Sequence, residues 1–167
     1  MTGKILVSAC LLGHKVRYDN GDVPCLDARF LKWYEEGRFV HICPEVVGGL
    51  STPRPDAQRQ GERVVTGAGV DVTEPFMKGA QATLKLATEH QVTLAILKQD
   101  SPSCGSLYIY DGTFRDTKMS GEGTTTELLR QNGFKVFGED QLDEVEKELA
   151  RMEGELILKV INRTHVT

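Results

Sequence analysis

Short apolar runs alternate with amphipathic segments along this chain of 167 residues. The apolar runs, rich in Val, Ile and Leu, are typical of strands buried on both faces, and apolar residues at helical spacing indicate helices between them. The predicted strands are residues 4–8, 38–43, 93–98 and 135–137. The predicted helices are residues 27–36, 73–89, 124–132 and 141–152. This alternation predicts an α/β fold, a mostly parallel, Rossmann-like sheet with helices on both faces and right-handed crossovers.

Turn residues add small hairpin excursions to this plan. Asp111-Gly112 predicts a hairpin between 106–110 and 113–114, since Asp-Gly favours a tight two-residue turn. Residues 63–65 and 70–72 are expected to form either a small hairpin or two short strands within a loop.

Helix ends and loops also have local signals. Thr73 is predicted to cap the second helix, and Thr124 with Glu127 has the spacing of a capping box for the third. The stretch 118–123, which contains Ser-Gly-Glu-Gly, is expected to be a flexible loop. The final helix is expected to end near Met152, and the residues beyond it have mixed character.

Length and composition limit the class of protein. A chain of this length normally forms one domain, so residues 1–167 are predicted to be a single domain with its core over about residues 4–150. The net charge of -4 offers no basic field for nucleic acid, and no apolar run is long enough to span a membrane. We therefore expect a cytoplasmic protein that binds neither nucleic acid nor membranes; the sequence leaves its oligomeric state open.

Three of the four cysteines lie at, or shortly after, the end of a predicted strand: Cys10, Cys43 and Cys104. Ligands of parallel α/β sheets bind outside the carboxyl ends of the strands, so these thiols are expected to form one site. No Cys-x-x-Cys pair is present, which disfavours zinc ribbons and thioredoxin-like sites. Cys25 lies in a helix-entry loop and is expected to be a free thiol.

Three convergent thiolates suit a soft metal centre. If they held a [4Fe-4S] cluster, one iron would have no protein ligand and could act as a Lewis acid or bind sulfur. Glu45 and Ser101 lie close in sequence to Cys43 and Cys104, so both are expected near the same centre. There a carboxylate can act as a general acid or base, and a serine can hydrogen-bond an attacking or leaving group. Glu45 could instead cap a helix, and Ser101 could instead form a turn.

Several motifs resemble, as a set, those of the thiouracil desulfidase family. They are Ser-Ala-Cys-Leu-Leu-Gly at 8–13, Arg-Tyr-Asp at 17–19, Cys-Pro-Glu-Val-x-Gly-Gly at 43–49, Thr-Pro-Arg-Pro at 52–55 and Ser-Pro-Ser-Cys-Gly at 101–105. The resemblance covers roughly residues 4 to 140. It implies a [4Fe-4S] cluster held by Cys10, Cys43 and Cys104, and non-redox conversion of thiouracil to uracil with release of sulfide. It also implies that the substrate's sulfur binds the iron without a protein ligand, and that Glu45 and Ser101 transfer protons. A free thiolated pyrimidine is the expected substrate, and the choice between 2-thio and 4-thio forms stays open.

Two other classes of protein remain open from the cysteines alone. One is a non-catalytic zinc or iron–sulfur binding or sensor protein, for which Glu45 would be dispensable. The other is a cysteine-nucleophile or persulfide-carrying enzyme, with Cys104 as its reactive thiol. Arg54 and Asp56 are expected to be a surface pair. The four histidines share no metal-ligand spacing.

Overall fold

A four-stranded parallel sheet is the centre of the protein in the computed structural model, which describes residues 3–165. The strands, in chain order, are β1 (Ile5–Ser8), β2 (Phe39–Ile42), β3 (Ala57–Gln60), β4 (Arg63–Thr66), β5 (Leu94–Leu97), β6 (Tyr108–Tyr110), β7 (Lys118–Ser120) and β8 (Val136–Gly138). The α-helices are α1 (Ala28–Glu35), α2 (Pro44–Val47), α3 (Thr73–Glu89), α4 (Thr124–Gln131) and α5 (Leu142–Thr164). The sheet order is β2-β1-β5-β8 with every pair parallel, which confirms the predicted α/β class.

Alternate residues of the two central strands separate two hydrophobic cores. Ile5 and Val7 of β1 pack with Phe30 and Trp33 of α1 and with the first turns of α5. On the other face, Leu6 packs in the core formed with α3 and α4. Helices therefore cover both faces of the sheet, which explains why its strands appear in the sequence as continuous apolar runs.

The hairpin that contains residues 63–66 has a different partner strand from the one that the sequence predicts. Strand β4 pairs antiparallel with β3, and a single bridge, between Val65 and Asp71, is all that forms of the expected pairing. Strand β3 has the polar sequence Ala-Gln-Arg-Gln, which carries no apolar alternation. Its Gln58 nevertheless is buried, and the side chain accepts hydrogen bonds from the backbone of the next excursion.

The hairpin predicted around Asp111-Gly112 is longer than expected. Strand β6 pairs with β7, in the stretch expected to be a flexible loop, and not with 113–114. The Asp111-Gly112 turn does not close a tight hairpin because Gly112 N–H donates to Gln58 Oε1 at 3.0 Å, while its carbonyl accepts from Gln60 Nε2 at 2.8 Å. These two hydrogen bonds hold the turn against β3, and the chain pairs with β6 only when it reaches β7.

The predicted capping box of α4 is also wrong. Gly123 is the N-cap residue, and Thr124 already lies within the helix. Glu127 does not reach back to the helix start, because its carboxylate forms an ion pair with Arg59.

The last helix is about twelve residues longer than predicted. It continues beyond Met152 to Thr164, and all residues from Glu153 to His165 are exposed. Within residues 3–165 no helix combines the length and apolar character needed to cross a bilayer.

Candidate active site at the carboxyl edge of the sheet

The three strand-end cysteines lie around one cavity. Cys10 lies in the 3-10 turn after β1 (Ala9–Leu12), Cys43 is the N-cap of α2 after β2, and Cys104 lies in the loop after β5. Because β1 lies between β2 and β5, the three loops are neighbours. All three cysteines line a cavity of about 350 Å³ at the carboxyl edge of the sheet, next to the point where the strand order reverses.

Hydrogen bonds between hydroxyl side chains and the backbone fix the loop that carries Cys104. Ser101 Oγ accepts the N–H groups of Ser103 and Cys104 at 3.1 and 3.0 Å, and the Cys104 carbonyl accepts the hydroxyl of Thr126 at 2.9 Å. Ser101 thus forms the turn, as the simpler interpretation expects. Since its oxygen accepts both bonds, its own O–H stays available as a donor at the cavity wall.

Two glycines let the Cys43 turn lie directly on α3. A Cβ atom on Gly79 would stand 2.0 Å from the Pro44 carbonyl oxygen, and one on Gly48 would stand 2.2 Å from the Pro75 carbonyl oxygen. Any side chain at either position would separate α2 from α3. This backbone-to-backbone contact sets the position of Cys43 and Glu45 relative to the sheet.

Burial dominates the acid–base state of the three thiols. It raises the pKa of Cys10 to about 12, an effect increased by the neighbouring Cys43 and opposed by the positive charges of Lys98 and Arg17. Burial also raises the pKa of Cys43 and of Cys104, and a hydrogen bond with Ser8 partly opposes the rise at Cys104. Without a cation among them, the three groups are therefore protonated thiols at neutral pH.

Glu45 forms a buried ion pair with Arg54. Arg54 Nε donates to Glu45 Oε1 at 3.2 Å, and the side chains of Arg54 and Glu45 are only 5% and 17% exposed. Burial raises the pKa of the Glu45 carboxyl, while the charge and hydrogen bond of Arg54 act in the opposite direction. The expected surface pair of Arg54 with Asp56 is therefore wrong, because Arg54 turns inward to Glu45.

Arg54 also joins three segments of the cavity wall. Its guanidinium donates to the carbonyl oxygens of Val16 and Ser51 at 2.9 and 3.1 Å and to Thr52 Oγ1 at 3.1 Å. The Val16 carbonyl lies 3.7 Å from Cys43 Sγ, which donates to it. One side chain thus connects the carboxylate, the 14–20 loop and a thiol-bearing turn.

Sequence reasoning assigned no role to the positive side chains beside the thiols, although Arg17 belongs to one of the motifs quoted above. Lys98 lines the cavity, and its Nζ lies 3.0 Å from Glu139 Oε1. Arg17 lines the cavity from the loop after the 3-10 turn. The sequence position of Lys98 could have identified it as a site residue, because it is a charged residue at the end of a buried strand and the strand ends face the site. Cys25 lies outside the cavity lining and packs against the α1–α5 core, while His41 is exposed.

The donor set fits a cluster better than a single ion. Within residues 3–165 no three His, Cys, Asp or Glu side chains are placed to hold one metal ion. The three thiols instead surround an open volume, and thiolates are the ligands that iron–sulfur clusters use.

The chain is therefore a parallel α/β protein in which three thiols, a buried carboxylate and a hydroxyl lie around one cavity at the carboxyl edge of the sheet. The comparisons narrow this class. The family model described as 2-thiouracil desulfurase matches residues 5–141, and the chain belongs to this family.

Two relatives extend this result. A solved structure described as the [4Fe-4S]-dependent thiouracil desulfidase TudS superposes with a TM-score of 0.88 at 50% identity, covering 89% of this chain and 99% of its own. The uncharacterized protein YbbK of Bacillus subtilis is 42% identical over 151 residues, which is 84% of this chain and 99% of YbbK.

Proposed function

We propose that this protein is a [4Fe-4S]-dependent desulfidase that converts thiouracil to uracil and releases sulfide. The observation that carries the proposal is the convergence of Cys10, Cys43 and Cys104 on a cavity that Glu45 and Ser101 also line. The family and the solved relative support the same chemistry. In the overall reaction the carbon–sulfur double bond of the base is replaced by a carbon–oxygen double bond, with water as the oxygen source.

Cys10, Cys43 and Cys104 would hold the cluster, one thiolate from each of three adjacent loops. When bound, the cluster supplies an iron without a protein ligand, a Lewis acid suited to a thiocarbonyl sulfur. The chain itself contributes compensating charge, because Lys98 and Arg17 lie near enough to Cys10 to favour its thiolate. Burial keeps bulk water from the thiol side of the cavity, since Cys10 is 9% and Cys104 is 4% exposed.

Glu45 is the proposed general base. Its carboxylate lines the cavity and is held by Arg54 through one oxygen, Oε1, which leaves Oε2 to take a proton from the attacking water. The raised pKa of this carboxyl brings it closer to neutral pH, where a base transfers protons most effectively.

Ser101 is the proposed hydrogen-bond donor at the reacting carbon. Its Oγ is fixed by two backbone N–H groups, so the remaining O–H has a defined direction and needs no rearrangement. Such fixed donors stabilise charge that develops in a transition state.

A free base is the proposed substrate. The cavity volume of about 350 Å³ is at the small end of ligand pockets. The net charge of -4 does not favour a polyanionic nucleic acid. A cytoplasmic location and the absence of nucleic-acid partners stay predictions.

The two other interpretations find less support. A persulfide or nucleophile role needs a thiol with a lowered pKa, and burial raises the pKa of Cys104. A single zinc ion needs three close ligands, and residues 3–165 present no such group.

Anaerobic preparation tests the proposal. We expect about four irons and four acid-labile sulfides per chain after cluster reconstitution, and formation of uracil and sulfide from 2-thiouracil or 4-thiouracil. Glu45→Gln should keep the iron content and lose most of the activity. Full activity of metal-free protein, or full activity of Glu45→Gln, would refute the mechanism.

A further inference from the structure

Three aromatic side chains line the active-site cavity and have no role in the proposed chemistry. They are Tyr18, Tyr110 and Phe114. A cation lies over two of these rings: Arg17 Cζ is 5.7 Å from the centroid of Tyr18, and Lys118 Nζ is 5.6 Å from that of Tyr110. Among the described residues, neither a cation nor a second aromatic ring lies against Phe114. Its ring is therefore the one that a ligand can use.

Phe114 also lies outside the hydrophobic cores. It is half-buried, yet it belongs to none of the three clusters of buried apolar residues that the described part of the chain forms. The backbone at Gly67 stands close to one edge of the ring, since a Cβ atom built there would lie 3.7 Å from Phe114 Cδ1 and Cε1. An aromatic side chain at a cavity wall and outside every core can gain further contacts from a molecule that fills the cavity.

The turn of residues 111–117 holds the backbone of Phe114 in an unfavourable conformation. Its φ angle is 58°, in the left-handed region that costs free energy for a bulky residue. The buried Gln58 keeps it there, because its Oε1 accepts the N–H groups of Gly112 and Phe114 at 3.0 and 3.3 Å. Asp111 N–H donates to the Thr117 carbonyl at 2.9 Å and closes the turn. Strained positions that the surrounding structure enforces cluster at ligand-binding sites.

We propose that Phe114 stacks on the ring of the substrate and thereby selects planar, conjugated thiocarbonyl bases. This inference rests on the proposed function and adds the part of the substrate that the turn recognises. A pyrimidine presents a flat π face, and such faces stack favourably on aromatic side chains. Phe114 would hold the ring, while the thiol-bearing loops receive the thiocarbonyl group. It is a specificity residue, since the same contact exists before and during the reaction.

Binding of uracil and of dihydrouracil to the cluster-loaded protein, measured by isothermal titration calorimetry, tests this proposal. The two ligands share their ring N–H and carbonyl groups, but dihydrouracil lacks the ring double bond and is not planar. We expect the wild type to bind uracil about tenfold more tightly, an effect within the range of base–aromatic stacking. Phe114→Leu keeps an apolar side chain without a π face and should remove this preference, whereas Phe114→Tyr should keep it.

Arg115→Leu is the matched control. Arg115 lies in the same turn but is exposed and outside the cavity lining, so both affinities should stay unchanged. In turnover, Phe114→Leu should raise KM for 2-thiouracil about tenfold and leave kcat nearly unchanged, as expected when a contact is equal in ground and transition states.

Four results would overturn the proposal: a wild type without preference between the ligands, a preference that survives Phe114→Leu, an equal loss of both ligands in that variant, or the same loss in Arg115→Leu. Calorimetry needs no turnover, which separates this proposal from the proposed function. A cluster-loaded wild type that prefers uracil but forms none from thiouracil would refute the desulfidase reaction and support the stacking contact.

Discussion

Replacing Arg54 with glutamine tests the contribution of the buried ion pair while every cysteine is kept. The substitution removes the partner of Glu45 and the four hydrogen bonds that Arg54 donates, to Glu45, Val16, Ser51 and Thr52. It alters neither a proposed cluster ligand nor a proposed proton-transfer group. Both stability and the pH dependence of the reaction should respond.

The stability cost follows from burial. Removing one partner of a buried ion pair costs about 3–5 kcal/mol, because the other charge is left uncompensated. For a domain of this size, that corresponds to a fall in melting temperature of roughly 6–20 °C. Arg63→Gln is the matched control, since the side chains of its pair with Asp71 are 62% and 47% exposed, and such a pair contributes about 0–1 kcal/mol.

The pH effect has a defined sign. Arg54 opposes the rise in the pKa of Glu45, so its removal raises that pKa further. Folding then stabilises the protonated carboxyl, and this contribution is lost as the pH rises through the folded pKa. If Glu45 acts as a base, the rate falls as the pH drops through the same pKa, and the acidic limb of kcat/KM should move to higher pH in Arg54→Gln.

Urea unfolding and pH–rate profiles at matched iron content measure the two effects. Arg54→Lys should recover part of the stability, since it restores charge without the planar, multidentate contacts. A cost below about 1 kcal/mol, equal to that of Arg63→Gln, would refute the structural argument. An unshifted acidic limb would refute the assignment of Glu45 as the base.

Three further substitutions test the site. Cys43→Ser should lose the cluster and activity, whereas Cys25→Ser should keep both, as measured by iron and sulfide content; equal loss in the two would contradict the ligand assignment. Ser101→Ala should lower kcat by about 10²–10³-fold, the typical effect of removing one transition-state donor. Ser103→Ala, which removes a buried bond to Thr125, should lower stability alone, so an equal loss of kcat would argue against a catalytic Ser101. Gly79→Ala should destabilise the fold by about 1–3 kcal/mol through overpacking. The control Gly154→Ala, with nothing within 4 Å of its Cβ, should stabilise the protein by up to about 1 kcal/mol. If urea unfolding showed no change in stability for Gly79→Ala, α2 would be able to move away from α3.

The sheet and the convergence of the thiols could be predicted because each depends on local signals. Buried parallel strands such as Leu94–Leu97 are continuous apolar runs, and the carboxyl ends of parallel strands meet at one edge. The adjacency of three cysteines that are far apart in sequence follows from these two facts.

The remaining features depend on tertiary contacts without a local signal. Arg54 stands between two prolines and has the sequence character of a surface residue, yet one carboxylate and three backbone or hydroxyl acceptors draw it inward. Strand β3 is polar because the side chains of Gln58 and Gln60 form hydrogen bonds with the backbone of an excursion more than fifty residues later. The second half of α5, residues 153–164, misled the prediction for another reason, since within the described residues 3–165 its apolar side chains are exposed and not packed in a core.

The positions of the three cysteines also determine when a centre can be assembled during synthesis. A local Cys-x-x-Cys motif offers ligands as soon as its turn leaves the ribosome, but here the third thiol follows β5, the strand that pairs with β1 from the opposite side. Cys10 and Cys43 can meet once β1 and β2 have paired, whereas Cys104 can join them only after β5 has paired with β1 from the other side. The set of three thiols is therefore complete only when the centre of the sheet has formed.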